Sequence, residues 1–185
     1  LGRPRVAFTA ALSMLGEFTV LATMAFLPTF FVEHHGLSLS RASLLFSVYF
    51  ATVAGLQPVV GWLSDRFGRD AVVGVMFAAG VGGFATLAAT TGFAVALPAV
   101  VLVGVAMSWV PPLQSRAVDA LSAAERGTGF GLVRTVYLLG GALGTTVVGS
   151  VADAAGWTAG FGLLAALLGA GVVALAGVHA AGLEW

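Results

Sequence analysis

Six runs of about twenty apolar residues, each closed by a charged or turn-forming cluster, constrain this chain more than any other feature it has. They cover about Val6 to Val32, Ala42 to Leu63, Ala71 to Thr90, Phe93 to Leu113, Gly127 to Val151 and Thr158 to Val178. A helix needs roughly 20 apolar residues to cross the hydrocarbon core of a bilayer, so each run is long enough to span it. Composition points the same way: 59% of the 185 residues are hydrophobic and 9% charged, whereas a water-facing exterior calls for roughly 25% charged. The expected fold is therefore all-α and integral to a membrane. It is one bundle over 1–185, with short loops, antiparallel neighbours and the lipid bilayer as its surroundings.

All eight basic residues are arginine. On a six-span path Arg3, Arg5, Arg66, Arg69, Arg116 and Arg126 fall on one side and only Arg41 on the other. By the positive-inside rule the chain is expected to be multi-pass in the cell membrane with both termini cytoplasmic. Trp62 and Trp157 sit at span ends, where amphipathic rings favour the interface. A net charge of zero lacks the basic excess that nucleic acid requires, so no nucleic-acid partner is expected. Without cysteine there is no disulfide or thiolate metal site. His34 and His35 are expected to be solvated in the loop after the first span, and His179 stands alone at the end of the sixth. No metal site or cofactor is expected from these spacings. The first run is too long for a cleaved signal peptide, and Leu1 is expected to mark a processed or truncated chain.

Compared with itself, the chain aligns Val59-Val60-Gly61-Trp62-Leu63-Ser64-Asp65-Arg66-Phe67-Gly68 with Val147-Val148-Gly149-Ser150-Val151-Ala152-Asp153-Ala154-Ala155-Gly156, at an offset of 88 residues. That offset is three spans, an odd number, so the two copies lie on opposite membrane faces. Such a pattern marks an inverted-topology repeat, with 1–92 as the first three-helix repeat and 93–185 as the second.

The inner copy, Gly61-Trp62-Leu63-Ser64-Asp65-Arg66-Phe67-Gly68-Arg69-Asp70, resembles the signature loop of the major facilitator superfamily: Gly, three residues, Asp-Arg, one residue, Gly-Arg and a basic residue. The match fails only at Asp70, which stands in place of the final basic residue. The segment from Glu125 to Gly131, followed by Gly140-Gly141-Ala142-Leu143-Gly144, looks like the family's fifth or eleventh helix. The resemblance implies one six-helix half of a transporter. The C-terminal half is favoured because the fourth span has no arginine before Arg116 at its end. It also implies a conformational latch at Gly61, Asp65, Arg66, Gly68 and Arg69, made in the outward-facing state and broken in the inward-facing one. A carboxylate such as Asp65 at a helix end is well placed to accept hydrogen bonds from the positive N-terminus of a neighbouring helix, a contact worth roughly 0.3–2 kcal/mol. The alternative is an ordinary charged loop.

Glu17 lies near the middle of the first span, where an ionisable side chain costs about 3 kcal/mol on insertion scales. Thr9, Ser13 and Glu17 recur every four residues and so share one helix face. In the family the first and fourth helices of each half line the cavity, so the stripe resembles a site for substrate or protons. The alternative is a protonated Glu17 that hydrogen-bonds a neighbouring helix. Arg134, about two turns inside the fifth span, is read either as an interfacial anchor or as a substrate contact. Gln57-Pro58 and Trp109-Val110-Pro111-Pro112 interrupt the second and fourth spans and favour kinks. The third and sixth spans, rich in glycine and nearly free of polar groups, read as outer scaffold.

Secondary active transport of a small solute by alternating access, with proton coupling, fits these features best, and one acid among few polar groups points to a cationic or amphipathic solute. It needs a second six-helix bundle: a missing half, a second copy or a separate chain. A non-transporting scaffold or receptor with the same fold is the alternative. An intramembrane serine protease would need a nucleophile activated by a base at membrane depth. The three histidines lie near span ends, so the chain is not expected to be an enzyme.

Overall fold

The computed structural model describes residues 3–182. Its helices are α1 (Pro4–Glu33), α2 (Leu39–Phe67), α3 (Arg69–Ala89), α4 (Phe93–Met107), α5 (Val110–Asp119), α6 (Arg126–Ala155) and α7 (Trp157–Ala180). They make six candidate membrane spans, because α4 and α5 are two pieces of one, Phe93–Asp119. The break falls at Ser108 and Trp109. There the Ser108 hydroxyl donates back to the Gly104 carbonyl at 2.9 Å, and the two prolines that follow bring no N–H to continue the ladder. The number and order of the spans match the expectation. The helices run past the apolar limits into the charged clusters, and a 30-residue helix such as α1 is about 45 Å long, more than the roughly 30 Å hydrocarbon core.

Single glycines join two of the helix pairs. Gly68 (φ 90°) closes α2 and opens α3, and Gly156 (φ 84°) does the same for α6 and α7. A side chain is rarely accommodated at such a φ, so glycine is what allows two helices to meet with no further loop.

Packing is closest where side chains are smallest. α1 lies along α6, α3 lies between α4 and α7, and α2 lies along α4. On α6, Gly140, Gly141 and Gly144 face α1, and a methyl group added at these positions would run into Met14, Glu17 and the Phe18 carbonyl respectively. In lipid, where apolar burial between helices gains little, such close backbone approach is the main source of association. α2 and α6 bury the smallest shares of their apolar stretches, 17% and 28%, against 50% for α3. α3 buries half of its apolar stretch on its neighbours, while Ala71, Val75 and Ala78 on its other face stay exposed.

The loop after α1 departs from the expected solvated histidines. His35 is buried, its Nε2 lies 3.1 Å from the Leu87 carbonyl, and its ring meets Phe30 and Phe31 edge-on. The reason is a tight turn: the His35 N–H bonds the Phe30 carbonyl and the Leu37 N–H bonds that of Phe31. That turn folds the ring under the end of α3. Burial in this apolar setting holds its pKa below the usual histidine range, although the Leu87 and Gly92 backbone contacts work the other way.

Candidate functional site

The polar stripe of α1 divides into two environments. Thr9, fully buried, sits near the arginine-bearing end; its hydroxyl donates to the Arg5 carbonyl at 2.8 Å and accepts from Arg116 Nη1 at 2.7 Å. Ser13 is buried one turn further on. Glu17 is half-buried at the crossing of α1 with α6, with its β and γ carbons against Gly141. Arg134 is the charged group that acts on it electrostatically, and Tyr49 of α2, itself buried, feels its charge. Glu17 thus sits at the contact of α1 with α6, while the Arg134 side chain, two turns back along α6 from Gly141, is exposed.

Sequence reasoning treated Trp109 only as part of a helix interruption. Its indole is 1% exposed and lies where a Cβ on Gly16 would come within 2.6 Å of the ring. It also meets Tyr137 of α6 edge-on, with centroids 6.1 Å apart. Its Nε1–H has no partner among the described residues. The available signal was a tryptophan beside a helix break; its seat on Gly16, next to Glu17, is encoded only in the fold.

The signature loop sits at the junction of α2 and α3. Gly61 faces α5, where Pro111 Cβ stands 3.9 Å from the position of an added Cβ, an ordinary contact that leaves room for a methyl group. Arg66 lies over the Trp62 ring at 5.4 Å and over Phe67 at 5.6 Å. Arg69 pairs with Asp119 of α5. Asp65 is exposed and makes no ion pair among the described residues.

The departure at Asp70 has a structural counterpart. Arg116 of α5, 2% exposed, donates from Nε and Nη2 to the two Asp70 oxygens at 2.6 and 3.0 Å and sits over the Phe8 ring at 5.3 Å. A bidentate pair is among the strongest contacts a guanidinium makes. The start of α3 and the end of α5 are therefore joined by two ion pairs, Arg69 with Asp119 and Asp70 with Arg116. A third pair, Arg3 with Glu125 at 3.1 Å, ties the start of α1 to that of α6. Hydrogen bonds from Ser122, with Arg3 adding its charge, hold the Glu125 carboxyl below the usual carboxylate range. Among the described residues no group of three or more His, Cys, Asp or Glu gathers as a metal site.

The sequence matches the family described as the Major Facilitator Superfamily over residues 6–181. The chain belongs to the Major Facilitator Superfamily. Among curated relatives, the probable sulfoacetate transporter SauU of Cupriavidus necator is 33% identical over 140 residues, covering 73% of this chain and 32% of that protein. Among solved structures, the peptide transporter POT in complex with sulfate superposes with a TM-score of 0.84 at 25% identity, over 96% of this chain and 38% of that one. A complex of a POT mutant with alafosfalin gives 0.83 at 24%. The chain thus spans about a third of the relative and under two-fifths of the structures it matches. Its six spans form half of the superfamily fold, in a multi-pass membrane protein.

Proposed function

We propose that this chain is one of two six-helix bundles of a secondary transporter that carries a small organic anion, of the sulfoacetate kind, by proton-coupled alternating access. The observation that carries the reading is Glu17: one membrane-depth carboxylate, in a chain of a transporter superfamily, at the contact of α1 with α6 and with Arg134 acting on it. Glu17 takes and releases the proton, and Arg134 supplies positive charge for the anionic solute. An anion replaces the cationic or amphipathic solute that Glu17 alone suggests, because the name of the SauU relative and the proximity of Arg134 both favour it. Ser13 completes the polar face. Thr9, whose hydroxyl is held between Arg5 and Arg116, orders the helix end rather than contacting solute.

The bundle is read as two inverted triplets, 1–92 and 93–185. In support, Gly68 and Gly156, 88 residues apart, form the same one-residue helix junction. Packing repeats too, with α1 against α6 answered by α4 and α5 against α2. Gathering the arginines at one end favours both termini in the cytoplasm of a cell-membrane protein. Asp65, exposed and unpaired among the described residues, is the half-latch that receives a helix N-terminus from the second bundle. Whether that bundle belongs to the same polypeptide, a second copy or another chain, α2 and α6 offer it the least covered faces.

The test is uptake of sulfoacetate by proteoliposomes holding the full-length protein that carries this chain, with and without an inward proton gradient. Uptake driven by the gradient and lost in Glu17→Gln supports the reading. Gradient-driven uptake that survives Glu17→Gln sinks the proton role. No uptake of any small organic anion favours a non-transporting scaffold. Asp65→Asn is expected to shift the protein toward its inward-facing state, read as altered solvent labelling of single cysteines.

A further inference from the structure

Two cavities meet at the arginine-bearing end, and neither is lined by Glu17. One, of about 400 Å³, is walled by Arg5, Arg69, Arg116 and His179 and carries Asp70 and Asp119. The other, of about 390 Å³, runs between α3 and α7 and is apolar, floored by Gly74, Ala78, Leu175 and Ala176. Both are bounded by Asp70, Ala71 and His179, so they form one depression with a polar head and an apolar tail. Neither belongs to the polar stripe of α1 or to the latch carboxylate.

The charge of the head is biased toward anions. Asp70 is taken by Arg116 and Asp119 by Arg69, which leaves Arg5 in excess. Its Nε is buried and has no partner among the described residues. The start of α3, which Gly68 leaves without a side-chain cap, borders the same cavity, and a helix start of this kind attracts phosphate. A free phosphate would explain the head but not the tail. The groove between α3 and α7 has the apolar lining of an acyl-chain seat, and it continues from the head along helices that span the bilayer.

We propose that this depression holds one anionic phospholipid of the leaflet at the arginine-bearing end, its phosphate against Arg5 and the start of α3, one acyl chain along Gly74, Ala78 and Ala176. Bound there, the lipid bridges the N-terminus of α1, the α2–α3 junction and the end of α7. The proposal does not rest on the transport reading, because it concerns neither Glu17 nor Asp65.

Native mass spectrometry of the full-length protein, titrated in detergent with phosphatidylglycerol or phosphatidylcholine, tests it. Phosphatidylglycerol is expected to bind more tightly. Arg5→Gln should weaken it about fivefold, from roughly 1 kcal/mol per arginine near a charged surface, and weaken phosphatidylcholine, whose choline offsets its phosphate, less. Ala78→Phe fills the groove and should weaken both lipids. The Arg5 side chain makes no hydrogen bond among the described residues, so Arg5→Gln tests the head even if Ala78→Phe unfolds, which a thermal melt reports. Equal binding of the two lipids by the parent protein overturns the proposal, as does phosphatidylglycerol binding unchanged in Arg5→Gln. Displacement of the lipid by inorganic phosphate alone overturns it as well, in favour of a simple anion site.

Discussion

At the arginine-bearing end the helices are tied by charge: Arg116 to Asp70 and Thr9, Arg69 to Asp119, Arg3 to Glu125. At the opposite end they are tied by rings. Phe30 of α1 stacks on Phe161 of α7 with centroids 3.7 Å apart, Trp157 meets both, and Phe84 of α3 meets Phe161 edge-on. Among the described residues two polar ties cross there, from Trp157 Nε1–H to a Glu33 oxygen at 2.8 Å and from His35 Nε2 to the Leu87 carbonyl at 3.1 Å. Ion pairs can be exchanged for other partners at little net change in energy, whereas a packed aromatic cluster has one good arrangement. The charged end is the one suited to switching, and the aromatic end is the one suited to serving as a fixed pivot.

The largest test of that contrast is Asp70. Asp70→Ala strands Arg116, 2% exposed, with only Thr9 beside it, and removing one partner of a buried pair costs about 3–5 kcal/mol. Arg116→Ala strands Asp70 instead. Its side chain is 43% exposed, so water reaches it and the loss should stay nearer about 1–3 kcal/mol. The exchange Asp70→Arg with Arg116→Asp should recover part of either loss. Unfolding in bicelles reads all three, and equal costs for the two single variants would mean that burial of Arg116 is not what makes the pair matter.

The aromatic end should respond to a smaller degree and in a different way. Phe161→Ala is expected to cost about 2–3 kcal/mol, below the roughly 3–5 kcal/mol usual for a buried phenylalanine in water-soluble proteins. Lipid tails are as apolar as the vacated site, so only packing is lost. The exposed Arg3–Glu125 pair should weaken with added salt, while the stability change from Phe161→Ala should be indifferent to it. A salt-dependent loss at Phe161 would erase the distinction between the two ends.

How much of this was legible depends on the distance over which each feature is encoded. The six spans were readable because each is a local property of some twenty residues, and the signature loop because its residues are contiguous. The α4–α5 break was only half visible, since Pro111 and Pro112 announce an interruption but not that Trp109 turns inward onto Gly16. The Asp70–Arg116 pair joins residues 46 apart in sequence, beyond any periodicity. One signal was available, because an acid standing where the superfamily has a base calls for a partner of opposite charge. Glu17 was found because a charge at membrane depth stands out alone, but nothing local to α1 shows that Gly141 packs against it. His35 was misjudged for a related reason: its neighbours in sequence are polar, while its neighbours in space are Phe30, Phe31 and the end of α3.

That histidine gives the smallest and most specific test of the aromatic end. Burial depresses its pKa in the folded state, relative to about 6.5 for an unperturbed histidine. The unfolded chain therefore binds the proton more readily. The contribution of neutral His35 is complete above about pH 6.5 and declines as the pH falls through the lower folded-state value. Acidification should loosen the packing of the charged His35 ring against Phe30 and Phe31 first, seen as faster amide exchange at the end of α3 and in the turn after α1. In His35→Asn, whose side chain does not titrate there, the acid response at the end of α3 should vanish; if it persists unchanged, some other group controls that end of the bundle.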